Sequence, residues 1–394
     1  MPATPGRRPG LYLHVPFCSA ICPYCDFAVT TGDGERRERF LSALLEEVAL
    51  GVPRGWEGEF DTVYLGGGTP SVLGLDALER LFEVARRHLP MTPEARISLE
   101  ANPEDATPER LAGWRGLGVT TISLGVQSFD DEALRYLGRR HTADEARCAV
   151  DAALAAGFAT VSVDLIYGLP GRGVAAWRRD LEAAVELAPD HLSCYQLTVH
   201  PGTMFGRRQA RGERIEIPDE LQARLFRATH EVLRDEGYEG YEVSNFARAP
   251  RHRSAHNTKY WDHTPYLGLG PSAHSFDGGR RWWNERGVAP WQRLVETGVR
   301  PIAGGEELGT ADLLLERLML ALRTAEGVDL EEMRSRYGVD LEDRDGERLV
   351  RFEAAGLLSR EGGRLKPTLE GLAVADTLAR ELGNLTDPSR SRGN

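Results

Sequence analysis

The chain has 394 residues, 41% of them hydrophobic, and carries a formal net charge of −12. This length predicts two or three domains, one of which can be a barrel of roughly 200–250 residues. The acidic balance argues against a general nucleic-acid-binding protein and against a protein that binds anionic membranes.

Five cysteines form a small, odd-numbered set, so we expect no disulfide framework and predict a reducing, cytoplasmic location. Residues 1–10 lack the apolar segment of a signal peptide and are predicted to be disordered. No apolar run approaches the length of a membrane span. Cys148 falls in a helical pattern and Cys194 in an apolar strand pattern, and we expect both to be buried thiols.

Strand and helix patterns alternate along the first half of the chain, from Leu11 to about Thr198. The predicted strands are Leu11–Val15, Thr62–Leu65, Arg96–Glu100, Thr121–Gly125, Val161–Ile166 and Leu192–Thr198. The predicted helices between them lie near Glu38–Leu50, Leu75–His88, Pro108–Leu117, Ala143–Ala156 and Ala175–Leu187. Repeated βα units of this kind predict an α/β fold with a parallel sheet, either doubly wound or barrel-like.

The second half of the chain has a different pattern. A long predicted helix, Asp219–Glu236, precedes a segment rich in polar and aromatic residues, and a Pro/Gly passage from Gly298 to Gly305 indicates a boundary. Helices, a hairpin and a final helix capped by Thr368 then suggest a small, winged-helix-like domain that packs against the main one. We therefore assign residues 11–200 to the βα region, 201–300 to an extension, 306–385 to a helical C-terminal domain and 386–394 to a disordered tail.

Three cysteines, Cys18, Cys22 and Cys25, follow the first predicted strand in one short loop. Such a group can be a structural zinc site, a remnant of a disulfide or an iron–sulfur site. Zinc usually takes four protein ligands, and no fourth Cys lies nearby to complete that shell. Three thiolates suit a [4Fe–4S] cluster whose fourth iron is left for an outside ligand.

Polar or glycine residues stand where the predicted strands end. They are Gly66-Gly-Gly-Thr-Pro70 after the second strand, Glu100 and Asn102 after the third, Gln127 and Ser128 after the fourth, and Asp164 near the end of the fifth. Singly, a strand-end carboxylate is more often a helix cap or a solvated turn. The carboxyl ends of parallel barrel strands converge on one mouth, however, so these groups and the cysteine loop are predicted to face one cavity.

With Tyr24 before its last cysteine, the Cys18-xxx-Cys22-xx-Cys25 motif resembles the signature of radical S-adenosylmethionine (SAM) enzymes. Further motifs resemble the oxygen-independent coproporphyrinogen III oxidase family, over about Leu11 to Gly371. They are Tyr12-Leu-His-Val-Pro-Phe-Cys18, Gly66–Pro70, Ser98–Pro103, Ser123–Phe129, Gly138–His141 and Val163–Pro170. The resemblance implies a partial (β/α)6 barrel in which the free iron of the cluster is chelated by SAM.

The same resemblance implies a set of cofactor-binding residues. The cluster ligands would be Cys18, Cys22 and Cys25, and the residues that contact SAM would be Tyr12, Tyr24, Gly67, Gly68, Thr69, Glu100, Gln127, Arg139 and Asp164. Their chemistry agrees with these roles, because Arg139 can pair with a carboxylate and the two acids can accept hydrogen bonds from ammonium or ribose groups.

Two branches of this family have to be distinguished, the decarboxylating enzyme and a paralogous haem chaperone. The enzyme branch has a fourth cysteine where this chain has Phe27, and it carries a longer segment before the cluster motif. The motif His256-Asn257-Thr-Lys-Tyr260-Trp261 resembles the haem-associated motif of the chaperone branch. These features imply a haem chaperone that lacks coproporphyrinogen III dehydrogenase activity. The alternatives are the oxidative decarboxylase that forms protoporphyrinogen IX and another radical SAM enzyme.

The resemblance also implies ligands and partners. His256 could be an axial haem ligand, with Tyr260 and Trp261 on a porphyrin face, while His252, His263 and His274 are rival ligands. The ordinary alternative is that His256 and Asn257 cap a turn and Trp261 fills the core. Haem-accepting proteins, including respiratory ones, would be partners, with an electron donor if SAM is cleaved and a homodimer as a candidate assembly.

Overall fold

The computed structural model describes residues 7–383 and has the predicted α/β architecture, a partial (β/α)6 barrel. Its six barrel strands are β1 (Gly10–Val15), β2 (Phe60–Gly67), β3 (Met91–Ala101), β4 (Val119–Gln127), β5 (Thr160–Tyr167) and β6 (His191–Gln196). The helices between them are α1 (Gly34–Ala49), α2 (Leu75–His88), α3 (Pro108–Gly116), α4 (Asp131–Tyr136), α5 (Ala143–Ala156) and α6 (Val174–Glu186). The strands pair in chain order and all in parallel, and β1 and β6 each pair with further strands instead of closing the barrel.

Alternation along each strand separates the two faces of the sheet. Leu11, Leu13 and Val15 of β1 are fully buried in the main core, which lies between the strands and the helices. The connecting helices have the expected ends: α5 begins with a capping box of Thr142 and Glu145 and ends at Gly157, whose φ of +74° suits glycine.

The extension is part of the same sheet. Its elements are α7 (Met204–Gln209), α8 (Asp219–Asp235), β7 (Glu239–Gly240), β8 (Asn245–Ala247), α9 (Ala255–Trp261), β9 (Tyr266–Leu269), β10 (His274–Phe276), β11 (Arg280–Asn284), α10 (Val288–Val295) and β12 (Ile302–Glu307). Within residues 7–383 the sheet has twelve strands, in the order β12-β11-β10-β9-β1-β2-β3-β4-β5-β6-β8-β7. The Pro/Gly passage from Gly298 to Gly305 contains the first residues of β12, so the chain leaves this sheet only after Glu307.

The C-terminal domain has its own apolar core and a three-stranded antiparallel sheet. Its elements are α11 (Thr310–Ala321), β13 (Val328–Asp329), α12 (Leu330–Tyr337), α13 (Leu341–Ala354), β14 (Leu358–Glu361), β15 (Arg364–Pro367), α14 (Leu369–Ala373) and α15 (Ala375–Gly383). Thr368 caps α14 as predicted, since its side-chain oxygen accepts from the amide of Gly371 at 3.1 Å. The domain packs against the extension, where the amide of Ala325 donates to the carbonyl of Tyr241 at 3.0 Å.

The expectation that Cys148 and Cys194 are both buried is correct for Cys194 and wrong for Cys148. Cys194 is buried on β6, but Cys148 is exposed, because α5 turns Ala146, Ala149 and Val150 inward and leaves position 148 on its outer side. The predicted disorder of residues 1–10 and 386–394 falls mostly outside the described residues, and β1 begins at Gly10. Among the described helices, none is both long enough and apolar enough to cross a membrane.

Candidate functional site

One cavity of about 550 Å³ runs through the open barrel. The cysteine loop and the carboxyl ends of the strands form one end of it, and α9 closes the amino-terminal end. Mainly polar side chains line the wall between these ends, because most inward-facing residues of β2 to β6 are polar. Tyr64 pairs with Ser98 across β2 and β3, Glu100 with Ser123 across β3 and β4, and Asp164 with Ser193 across β5 and β6.

The three cysteines of the loop all line this cavity. The loop is held in place by backbone hydrogen bonds from the Cys18 amide to the Thr30 carbonyl at 2.9 Å and from the Cys25 amide to the Cys22 carbonyl at 3.1 Å. The Thr69 hydroxyl donates to the Cys18 sulfur at 3.5 Å, and Arg139 Nη1 donates to the Cys22 sulfur at 3.5 Å. Donors of this kind orient sulfur ligands and modulate the metal that they bind.

The three thiols suit a multi-iron cluster better than a single metal ion. Within residues 7–383, no group of three or more His, Cys, Asp or Glu side chains is close enough to hold one ion. A [4Fe–4S] cluster bonds each thiolate to a different iron and so spaces the sulfur atoms more widely. Burial raises the pKa of Cys18, and raises the pKa of Cys25 to about 11, so binding to iron would have to release their protons.

The glycine run Gly66–Gly68 lies at the end of β2, and neighbouring groups of the protein occupy the space beside it. A Cβ on Gly66 would lie 2.8 Å from Tyr64 Cε1, a Cβ on Gly67 would lie 2.4 Å from the His14 ring, and a Cβ on Gly68 would lie 2.7 Å from the Phe17 carbonyl oxygen. These residues are therefore small mainly because neighbouring protein groups pack over them.

The backbone amides of this run are already engaged. The Gly67 amide donates to the Glu100 carboxyl, the Gly68 amide donates to the Val15 carbonyl at 2.7 Å, and the Thr69 amide donates to the Phe17 carbonyl at 2.8 Å. A ligand at this loop would therefore meet carbonyl oxygens, which accept hydrogen bonds from an ammonium group.

Two carboxylates face the middle of the cavity. Glu100 Oε1 accepts a hydrogen bond from the Tyr64 hydroxyl at 2.7 Å, and burial raises the pKa of Glu100 to about 7. Asp164 accepts from the Ser123 hydroxyl at 3.0 Å and from Ser193, and burial raises its pKa. Both carboxylates can accept hydrogen bonds from ammonium or hydroxyl groups of a ligand.

Arg139 and Gln127 complete the wall near the cysteine loop. Arg139 Nη2 donates to Asn102 Oδ1 at 2.5 Å and to the Gly125 carbonyl at 2.9 Å, while its buried Nε has no hydrogen-bond partner among the described residues. Gln127 has a φ of +69°, where the register between β4 and β5 shifts. Such a bulge redirects a side chain, and strained backbone of this kind is common at functional sites.

The His-Asn-x-x-Tyr-Trp motif forms most of α9, at the end of the cavity opposite the cysteine loop. His256 is 2% exposed, and both of its ring nitrogens are hydrogen-bonded, Nδ1 to the Thr62 hydroxyl at 3.0 Å and Nε2 to the Tyr260 hydroxyl at 2.9 Å. Burial lowers the pKa of His256 to about 3, so the imidazole is neutral at physiological pH.

The structure divides the predicted cofactor residues among three cavities. All of them line the main cavity except Tyr12, Tyr260 and Trp261. Tyr12 and Tyr260 line a smaller neighbouring cavity of about 380 Å³, and Trp261 lines a cleft beside the C-terminal domain. The Tyr260 and Trp261 rings therefore line different cavities, and the expectation that both lie on one porphyrin face is wrong for this structure.

The rival histidines have different surroundings. His252 lines the main cavity and shares a hydrogen bond of 3.0 Å with the Thr160 hydroxyl. His263 is buried, and its ring nitrogens have no hydrogen-bond partner within residues 7–383. His274 is exposed beside Trp283, with ring centroids 5.8 Å apart.

Several residues of the cavity wall were missed by the sequence interpretation. They are Tyr64, Arg96, Ser123, Ser162, His191 and Ser193. The signal that could have found them is the alternation along the strands, because most of the alternate residues of β2 to β6 are polar and the residues between them are mainly apolar.

Comparison with known proteins identifies two matching family models, the Radical SAM superfamily over residues 12–184 and the HemN C-terminal domain over residues 310–374. Heme chaperone HemW of Mycobacterium tuberculosis (strain ATCC 25618 / H37Rv) is 39% identical over 381 residues, which cover 96% of this chain and 95% of that protein. Heme chaperone HemW of Bacillus subtilis (strain 168) is 32% identical, with coverage of 84% and 87%. The fold is similar to that of coproporphyrinogen III oxidase (HemN) from Escherichia coli, with a TM-score of 0.83 at 23% identity over 98% of this chain and 91% of that one.

Proposed function

The chain belongs to the Heme chaperone HemW family of the radical SAM superfamily, and on this premise we propose that it binds haem and transfers it to acceptor proteins. The observation that carries the proposal is the relationship to proteins named haem chaperones over nearly the whole chain. The cysteine loop supports it, because Phe27 stands where the resembling oxidases have a fourth cysteine, and its side chain is 67% exposed at the mouth of the cavity.

We propose further that Cys18, Cys22 and Cys25 hold a [4Fe–4S] cluster and that SAM binds beside it in the main cavity. Three protein thiolates would leave one iron of the cluster free for SAM, and such a cluster supplies one-electron chemistry when it is bound. The unpaired Nε of Arg139 can pair with the SAM carboxylate, and carbonyl oxygens of residues 67–69 can accept from the ammonium. Glu100, Gln127 and Asp164 would hold the remaining polar groups of SAM. Tyr24 would contact SAM from within the cysteine loop, and Tyr12 lies near Gly67 in the neighbouring cavity.

For haem, we propose His256 as the iron ligand, with Asn257, Tyr260 and Trp261 as its surroundings. The neutral imidazole can donate a nitrogen lone pair to iron without losing a proton. Nε2 would have to leave the Tyr260 hydroxyl, while the Nδ1 hydrogen bond to Thr62 would keep the ring oriented. Trp261 lines the cleft beside the C-terminal domain, on the opposite side of α9 from the main cavity. It would therefore stabilise α9 and would not contact the haem on the side of His256.

Oxidative decarboxylation of coproporphyrinogen III is the second candidate. It is favoured by the complete polar wall around the proposed SAM position, which a protein that only carries haem would not need.

Two assays on the anaerobically reconstituted protein separate these functions. Titration with haem, followed by absorbance, is expected to show saturable binding, and incubation with coproporphyrinogen III, SAM and a reductant is expected to give no protoporphyrinogen IX. Efficient decarboxylation together with no haem binding would contradict the chaperone function.

Partners follow from the same proposal. Haem-accepting proteins are the expected recipients, and an electron donor is required if SAM is cleaved. A homodimer and a reducing, cytoplasmic location remain predictions.

A further inference from the structure

Tyr64, in the middle of β2, contacts residues assigned to both cofactors. Its hydroxyl donates to Glu100 Oε1 at 2.7 Å, on the side of the proposed SAM site. Its ring stacks on the imidazole of His256, the proposed haem ligand, with centroids 5.2 Å apart and planes 28° from parallel. One rigid side chain therefore spans the distance between the two sites.

The Tyr64 ring has little freedom to move independently of these partners. The Tyr12 ring stacks on it at 6.3 Å and 25°, and the backbone of Gly66 lies so close that an added Cβ would be 2.8 Å from Tyr64 Cε1 and 3.1 Å from Glu100 Cδ. In such a packed arrangement, a change at Glu100 is transmitted to the ring, and through the ring to His256.

We propose that Tyr64 is a positioning residue that couples the two ends of the cavity, so that SAM and haem each increase the affinity of the protein for the other. This inference rests on the proposed function. Glu100 accepts a hydrogen bond from the Gly67 amide, so an ammonium group of SAM held at residues 67–69 would favour the ionised form of this carboxylate. The ionised carboxylate accepts the Tyr64 hydrogen bond more strongly than the acid does. The Tyr64 ring would then hold His256 in one orientation before haem binds. Haem binding would therefore cost less conformational entropy, and its affinity would be higher.

Haem titrations with and without saturating SAM test this coupling. SAM is expected to increase the haem affinity of the wild-type protein about tenfold, within the usual range of coupling between sites. Tyr64→Phe keeps the ring but removes the hydroxyl, and it is expected to reduce the ratio to at most about twofold while haem still binds. The Soret band of the haem complex is expected to shift in this variant, because the orientation of His256 is less restricted.

Tyr167→Phe is the matched control. Tyr167 lies on another barrel strand, β5, is buried against Trp177 and is not among the residues that line the main cavity. Removing its hydroxyl is expected to leave the SAM-dependent ratio unchanged, and loss of the ratio in this control as well would overturn the specific role of Tyr64.

The inference can fail separately from the proposed function. If wild-type protein binds both ligands but SAM leaves the haem affinity unchanged, or if Tyr64→Phe keeps the full ratio, the coupling role of Tyr64 is overturned and haem binding stands. If the wild-type protein binds no haem, both are overturned. A reciprocal measurement that needs no variant is the effect of haem on SAM affinity in the wild-type protein, which must change by the same factor. A factor of one would overturn the coupling even if Tyr64→Phe did not fold.

Discussion

At the scale of single residues, the cysteines differ sharply in their surroundings. Cys18, Cys22 and Cys25 line the cavity beside Thr69 and Arg139, whereas Cys148 is exposed on α5 and Cys194 is buried in the main core. All five residues are cysteines, so only their positions distinguish the three candidate cluster ligands from the other two thiols.

We therefore predict that Cys22→Ala abolishes the broad visible absorbance of the reconstituted [4Fe–4S] cluster, because removing one of three protein ligands leaves a second iron without a thiolate. Cys148→Ala is the control and is expected to retain the full absorbance and iron content. A cluster retained in Cys22→Ala, or lost in Cys148→Ala, would contradict the three-cysteine assignment.

The sequence predicted the residues at the strand ends but not those deeper in the cavity. Glu100, Gln127 and Asp164 were found because a parallel barrel brings the strand ends together, and all three line the cavity. Tyr64 was missed because an aromatic residue in a strand is usually interpreted as core. The glycines at the end of β2 were attributed to the approach of a ligand. Packing by His14, Tyr64 and the backbone of residues 15–17 explains most of the requirement for glycine at these positions.

At the scale of elements, a buried carboxylate joins α1 to the extension. Glu47 is 1% exposed and accepts hydrogen bonds from the amide of Gly270 at 2.7 Å, Asn284 Nδ2 at 2.7 Å and Trp291 Nε1 at 3.0 Å. Burial raises the pKa of Glu47 to about 7. The folded protein thus holds a proton on Glu47 over a pH range in which the unfolded chain has lost it.

This shift predicts that stability declines as pH rises from the ordinary glutamate value through about 7. Relative to Glu47→Gln, which cannot ionise, the wild-type protein is expected to lose about 1 kcal/mol of unfolding free energy between pH 6 and pH 8. Urea unfolding at the two pH values measures the difference. Glu46→Gln, on the exposed side of the same helix, is the control. Equal pH dependence in wild type and Glu47→Gln would contradict the shifted pKa.

The barrel elements could be predicted from sequence, but the extension could not. The βα units are long and strongly periodic, and each strand pairs with the next one along the chain. In the extension, β7 and β8 have two and three residues, and β9 pairs with β1, which precedes it by about 250 residues. Such short strands have little periodicity, and partners distant in sequence leave no local signal.

At the scale of the whole molecule, one cavity connects the two proposed cofactor sites. The cysteine loop is at the carboxyl ends of the strands, and α9 with His256 closes the other end. The extension makes this arrangement, because its strands lengthen both edges of the sheet while its helix α9 lies against β2. The C-terminal domain then packs over the extension, through contacts that include the Arg227–Glu370 ion pair at 2.7 Å.

The most direct test of this account is a haem titration of cluster-reconstituted wild-type protein and His256→Ala, followed by absorbance in the Soret region. The wild-type protein is expected to bind haem saturably, and His256→Ala is expected to lose the ligated Soret band while its cluster absorbance stays intact. Haem binding with the same spectrum and affinity in His256→Ala would contradict the assignment of the haem site, and no haem binding by the wild-type protein would contradict the function itself.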